Sequence, residues 1–394
     1  MTLVLGGLAA FGPFSIDTIF PAFPQMAADL GADKLQIQQT ISVYLLAYAA
    51  MSLVHGPLSD AFGRKRVLVG GLLVYMLASA GCALSHDLAT LLSFRALQGM
   101  SAGAGLIVGR AMIRDLFHGQ EAQRLMSQVA MIFSIAPAVA PIYGGWVLGI
   151  GGWPLIFWSL VVFVCVLLGG VELALPETHP PERRMRLAPA ALWRDYASIF
   201  SNPRFLRLAG VVAFNFGGLF LYIASAPEVV FGLLGLNERQ FGWLFVPFIA
   251  GMMIGSFVSA RMAGRIEGTR LVSAGFAISA TAMLFNIGYT HLSPVLALPW
   301  AVLPLFLHAL GLALMVPVLT LAILDMYPQQ RGSASSSQAF TQLLVNAVIG
   351  GAVSPWLSHS GATLAAGAAT LVLLAWLCWF FECRARRAML AAAS

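Results

Sequence analysis

The chain has 394 residues, 59% of them hydrophobic and only 10% charged, where an ordinary water-soluble domain carries about 25% charged residues. A soluble fold could not bury this much apolar surface, so the solvent of this chain is lipid. The net charge of +6 would suit a nucleic-acid partner in a soluble protein. Here the basic residues fall in turns between apolar runs, and no nucleic-acid partner is expected.

Apolar runs long enough to span a bilayer lie near 2–26, 37–55, 67–85, 88–111, 125–148, 154–175, 204–225, 240–260, 270–289, 296–323, 333–356 and 362–382. The breaks between these twelve runs hold Gly, Pro and charges, as turns do. The first run opens almost at Met1 with no basic region ahead of it, so no cleavable signal peptide is expected. Cys82, Cys165, Cys378 and Cys383 sit in or beside apolar runs without metal-ligand spacing and read as packing residues.

Placing the turn at 56–66 in the cytoplasm and letting the spans alternate sorts the charges. The basic residues from Arg64, Lys65 and Arg66 through Arg183, Arg184 and Arg186 to Arg384, Arg386 and Arg387 then lie inside. Only Lys34 and Arg239 lie outside, and Arg95 is left within a span. This is the positive-inside asymmetry, and it places both termini in the cytoplasm. The polar stretch 176–203 divides the chain into a first six-span bundle, 1–175, and a second with a short tail, 204–394. The turn at Gly255–Arg265 reads as a degenerate echo of the one at 56–66, with Ser259 where Asp60 stood. Duplicated six-span halves are how one class of transporters is built. The expected fold is an all-α membrane protein of twelve transmembrane helices in two pseudo-symmetric six-helix bundles.

Asp17 lies inside the first run. A carboxylate near the bilayer centre costs about 2.5–3.5 kcal/mol on insertion scales, so it is rare without a use; it is expected to take up and release a proton. Arg95 lies within the fourth run. Counted from the outer ends, Asp17 is roughly 14 Å deep and Arg95 roughly 11 Å, at 1.5 Å per residue. The similar depth suggests that both face one cavity and that Arg95 tunes Asp17. The alternative is that Arg95 turns outward or bonds backbone carbonyls.

In the turn at 56–66, Gly56 and Gly63 permit a close reversal, and Asp60 stands four residues before Arg64, a spacing for pairing on one helical face. With Asp115 they are expected to form a charge cluster that gates the cytoplasmic side, Asp60 also facing the start of span eleven. In span five, Pro137, Pro141, Gly144 and Gly145 free backbone groups and are expected to form a hinge. Tyr44, Tyr48, Gln98, Asn215, Phe216, Phe220, Tyr222, Gln342 and Asn346 offer aromatic area and adaptable hydrogen bonds, which suits an amphipathic organic substrate. His308 reads as a packing residue, and Pro227-Glu228 as a helix terminus.

Several motifs agree in order and spacing. Gly56-x-x-x-Asp60-x-x-Gly63-Arg64-Lys65, Arg95-x-x-Gln98-Gly99 and Ala136-Pro137-x-x-Ala140-Pro141-x-x-Gly144-Gly145 together resemble the drug:proton antiporters of the major facilitator superfamily. Ser15-Ile16-Asp17, Arg110 to Phe117, Tyr222 to Pro227 and Gln330 to Ala334 resemble its bicyclomycin/chloramphenicol-resistance (Bcr/CflA) branch. Two departures stand out: Ile19-Phe20-Pro21 where the branch commonly has Tyr-Leu-Pro, and Ala140 where the superfamily usually has Gly.

The resemblance implies a multi-pass protein of the bacterial inner membrane, exporting amphipathic drugs by alternating access, with Asp17 as protonation site and Arg95 as its partner. It implies small-molecule drugs, protons and the bilayer as partners, a monomer, and no cofactor, the proton gradient being the energy source. A proton-coupled importer or metabolite exporter on the same fold is the alternative. No paired catalytic groups, no metal constellation and no phosphate-binding glycine loop are found in the sequence, so neither an enzyme nor direct ATP drive is expected.

Overall fold

The computed structural model describes residues 1–184, 189–293 and 295–393. Arg186, assigned above to the inner side, lies outside the described residues, as does the rest of 185–188 in the connecting stretch. Among the described residues there are sixteen α-helices and no strands. The chain divides into two compact units, Met1–Ala188 with Asn237–Gly242, and Pro189–Leu236 with Trp243–Ser394.

The first unit holds α1 (Thr2–Asp17), α2 (Phe23–Asp29), α3 (Lys34–Ser52), α4 (His55–Phe62), α5 (Arg64–Ala83), α6 (Leu88–Leu116), α7 (Gly119–Gly151) and α8 (Trp153–Ala174). The second holds α9 (Pro189–Phe200), α10 (Pro203–Ala224), α11 (Gly242–Met262), α12 (Gly268–Leu292), α13 (Leu303–Asp325), α14 (Arg331–Val348), α15 (Ser354–Leu357) and α16 (Gly361–Ala393). Among the described residues, eleven helical stretches are long and apolar enough to cross a membrane, and α3 with α4, bent by 49°, raises the number to twelve. Their outer faces are greasy. On α8, Val162, Val166 and Leu173 form an exposed stripe at helical spacing, the reverse of a soluble helix and what a lipid solvent selects.

Helix pairing repeats between the units. In the first, α1 packs on α6 and α7, and α5 on α6 and α8; in the second, α10 packs on α13 and α14, and α12 on α13 and α16. Such packing in lipid relies on close backbone approach. A β-carbon on Gly99 of α6 would lie 2.1 Å from the Tyr44 carbonyl of α3, and one on Gly105 would lie 2.2 Å from the Leu8 carbonyl of α1.

Several expected boundaries move. The run 2–26 is one spanning stretch, Thr2–Asp29, within which α1 stops at Asp17, a 3₁₀ turn covers Phe20–Ala22, and α2 begins at Phe23. Pro21 and Pro24 fall in the first positions of these short pieces, where proline's missing N–H is tolerated while it cannot continue the helix before it. The stretch 56–66 is not a loop but α4 running to Phe62, broken only at Gly63. The echo at Gly255–Arg265 is likewise helical as far as Met262. Span ten starts at Leu303, with Pro304 in its first turn. Span eleven is split by a π-helical turn at Ile349–Val353. The connecting stretch contains a helix, α9.

One polar contact binds the ends of α10 and α16. Glu382 is completely buried. Arg204 and Arg207 of α10 donate through Nε to its Oε1 and Oε2 at 3.0 Å each, and Arg386, one turn further along α16, donates to Oε1 at 2.8 Å. Removing one partner of a buried charge cluster typically costs about 3–5 kcal/mol, because the remaining charges stay desolvated. Glu382→Ala is therefore expected to lower the thermal unfolding midpoint of the detergent-purified protein markedly. Glu172→Ala is the control. Glu172 pairs with Lys65 at 2.9 Å but is 58% exposed, so its loss is expected to cost under about 1 kcal/mol.

Candidate functional site

Asp17 is the last residue of α1. The Thr18 hydroxyl donates back to the Phe14 carbonyl, and the Thr18 amide reaches the same oxygen at 3.1 Å. The α-helix thus ends on its own capping bonds, and the chain continues with right-handed helical dihedrals into the 3₁₀ turn at Phe20–Ala22. Asp17 is only 5% exposed, and among the described residues its carboxylate takes part in no hydrogen bond or ion pair. The wall beside this helix end is α7. A β-carbon on Gly144 would sit 1.9 Å from the Thr18 carbonyl, so only a glycine allows this approach. Gly145 meets the Glu238 carbonyl in the same way, at 2.0 Å. Phe14, one turn back on α1, packs its ring 5.5 Å from Tyr143. The helix α7 runs through Pro137 and Pro141 without interruption.

Arg95 is not the partner of Asp17, contrary to the expectation from depth. It has no exposed surface, and its bonds run to α3 and along α6. Nε donates to the Thr40 carbonyl at 3.2 Å, NH1 donates to Gln98 Oε1 at 2.7 Å, and the guanidinium lies 4.4 Å from the centroid of the Tyr44 ring. Its NH2 has no partner. Gln98 passes the network on, donating to the Ser79 hydroxyl at 2.7 Å, and Ser79 donates to the Tyr75 carbonyl at 2.8 Å.

Two phenols connect this network to α1. The Tyr44 hydroxyl donates to the Gly12 carbonyl at 3.1 Å, and the Tyr75 hydroxyl donates to Ser15. Tyr44 and Gln98, expected to line a substrate site, are thus fully buried members of the network; Tyr48 is 7% exposed and meets Tyr44 edge-on. Ser15, Thr40, Tyr75 and Ser79 were missed. Tyr75 and Ser79, one helical turn apart in an apolar run, were the available signal.

In the second unit, Asn215 is fully buried with its Oδ1 unpartnered, its Nδ2 lying 3.7 Å from the Met315 sulfur. Asn346 is also buried, and its Oδ1 is also unpartnered. Phe216 and Phe220 stack with centroids 6.3 Å apart, and Gln342 is partly buried. The Tyr222 hydroxyl accepts from Asn286 Nδ2 at 2.7 Å. His308 lies between Ser279 Oγ and the Asn215 carbonyl, 3.1 Å from each. A carbonyl only accepts, so Nε2 carries the proton toward Asn215. That agrees with a packing role.

The charge cluster at the α4–α5 break belongs to the first unit. Gly63 has φ +102°, and a β-carbon on it would lie 2.5 Å from Glu177 Oε2, so the position needs glycine twice over. Arg64 pairs with Asp60 through NH1 and with Asp115 Oδ2 through Nε at 3.1 Å. The same NH1 donates to the Ser59 hydroxyl at 2.6 Å, and the Arg64 amide donates to Glu177 Oε1 at 2.9 Å. Thr178 completes the shell with a 2.9 Å bond to Asp115 Oδ2. Asp60, Arg64 and Asp115 therefore meet as expected, while Ser59, Glu177 and Thr178 were missed. A β-carbon on Gly56 would meet nothing within 4 Å. The echo Ser259 donates to the Leu314 carbonyl at 3.2 Å and serves packing.

The close approach of Gly144 to the Thr18 carbonyl makes a direct prediction. Gly144→Ala forces a methyl into the Thr18 carbonyl, and overpacking typically costs about 1–3 kcal/mol. It is expected to lower the unfolding midpoint, whereas Gly109→Ala, whose nearest foreign atom lies 3.7 Å away, leaves it unchanged.

The sequence matches the family model described as Major Facilitator Superfamily over residues 3–346. It is 27% identical to a protein named bicyclomycin resistance protein homolog of Haemophilus influenzae, covering 96% of this chain and 95% of that one. It is also 27% identical to the multidrug resistance protein MdtM of Salmonella typhimurium, covering 92% of this chain and 87% of that one. Among solved structures, a bacterial homologue of the human lysosomal transporter Spinster superposes with a TM-score of 0.73 over 99% of this chain and 97% of that one, at 16% identity. That match speaks to the fold alone. The helical architecture and the family match agree, and this multi-pass membrane chain belongs to the Major Facilitator Superfamily of transporters.

Proposed function

We propose that the chain exports amphipathic drugs by alternating access in exchange for protons. Asp17 is the proton carrier, and one observation carries the reading. In a unit where Arg95, Gln98, Tyr44 and Tyr75 all make hydrogen bonds within the protein, Asp17 is buried, and among the described residues its carboxylate has no hydrogen bond or ion pair. A site of that kind binds a proton in exchange for something else rather than holding a fixed bond. The names of two relatives, a bicyclomycin resistance protein homologue and a multidrug resistance protein, support a drug as the exchanged cargo.

In this scheme, protonation of Asp17 and drug binding exclude each other. A proton entering from outside releases drug outward, and its departure to the cytoplasm allows drug to bind again. A potential of 100 mV supplies about 2.3 kcal/mol per charge and each pH unit about 1.4 kcal/mol, enough for roughly a hundredfold or greater gradient of a neutral drug per proton. Arg95 acts as a positioning residue, holding α1 through Tyr44 and Tyr75. Tyr48, Asn215, Phe216, Phe220, Tyr222, Gln342 and Asn346 are the proposed drug contacts, and the Asp60–Arg64–Asp115 cluster with Gly56 and Gly63 the proposed gate. The chain works as a monomer without a cofactor in the bacterial inner membrane. The distribution of Arg and Lys favours cytoplasmic termini.

Two variants test this. Asp17→Asn is expected to abolish drug accumulation driven by a pH gradient in inverted vesicles, and to lose the resistance that the unaltered chain gives an efflux-deficient host. Normal export by Asp17→Asn would sink the scheme. Arg95→Lys keeps the charge but cannot donate to Gln98 and Thr40 together in the same fork. It is expected to slow transport while leaving its pH dependence in place; a shifted pH profile would instead make Arg95 a direct electrostatic partner of the proton site.

A further inference from the structure

We propose that the arginine-rich end of the second unit binds the phosphate headgroup of an anionic phospholipid, in a cavity of about 270 Å³ between α12, α13 and α16. Val318 and Ala322 of α13 and Trp379 of α16 form its apolar wall, and Thr269 and Arg386 stand at its polar side. Val318 and Ala322 lie in the last turns of α13, and Thr269 in the first turn of α12. The cavity therefore opens where spanning helices end, at the depth of a lipid headgroup.

Charge favours an anion there. Arg386, at the cavity's polar side, shares the single carboxylate of Glu382 with Arg204 and Arg207, which stand on α10 outside the lining, so the cluster behind the cavity carries two uncompensated positive charges. The Arg386 side chain is 30% exposed and stands 6.0 Å from the Trp379 ring centroid, so its free N–H groups can reach an incoming phosphate. Glu267, also at the rim, accepts from the Thr269 hydroxyl at 2.6 Å and lies 3.9 Å from Arg270, so its charge has its own partners. The cavity is half-open and has room for a phosphate while the acyl chains lie along the outer face. Basic pockets between spanning helices suit such headgroups.

The test is native mass spectrometry of the full-length protein, titrated with phosphatidylglycerol or with phosphatidylcholine of the same chains. Phosphatidylglycerol is expected to be retained and phosphatidylcholine lost. Arg386→Gln and Ala322→Phe, the second filling the cavity without touching a charge, are each expected to weaken phosphatidylglycerol retention about tenfold. Should Arg386→Gln fail to fold, Ala322→Phe decides alone. Equal retention of the two lipids, full retention by the Ala322→Phe variant, or displacement of phosphatidylglycerol by inorganic phosphate at equal concentration would overturn the proposal.

Discussion

A guanidinium with no exposed surface sets the terms for the first unit. Burying Arg95 is costly, and the structure offsets the cost with the Thr40 carbonyl, the Gln98 amide and the Tyr44 ring. Those contacts fix α6 against α3, and Gln98 extends them to α5 through Ser79. Tyr44 and Tyr75 then hold α1 at Gly12 and Ser15, on the run of residues that ends in Asp17. From the other side, Gly144 brings α7 onto the Thr18 carbonyl. The proposed proton site thus sits on a run of α1 held from two sides, and its carboxylate has no bond among the described residues.

The second unit solves the same packing problem with less charge. Where the first places Arg95, Gln98 and Ser79, the second places His308 between Ser279 and the Asn215 carbonyl. Its core around Phe205, Phe276, Met315 and Trp379 is apolar, and its buried acid, Glu382, lies inside α16 rather than at the last residue of a helix. An acid saturated by three arginines clamps two helices. An acid with none is available for exchange. The contrast between Glu382 and Asp17 follows from their surroundings, since both are buried carboxylates.

Much of this was legible in the sequence because the bilayer imposes a simple rule: a span must be long, apolar and closed on its own hydrogen bonds. The helices emerged from hydropathy, and the Asp60–Arg64 pair from a four-residue spacing that survives the break at Gly63. The misplaced pairing of Asp17 with Arg95 has a definite cause. Counting residues from a helix end gives depth, but contact also requires the side chains to share a direction around the helix axis, and Arg95 points at α3. Glu177 was hidden for another reason. It lies more than a hundred residues from Arg64, in a polar stretch that carries no pattern of its own. The helix α9 was concealed in the same stretch.

The central claim is that drug and proton compete for the surroundings of Asp17, and proton release on binding measures it most directly. Adding a transported drug to the purified protein in weakly buffered solution is predicted to release protons from the unaltered chain and none from Asp17→Asn. Release of equal size from both, or from neither, would contradict the account.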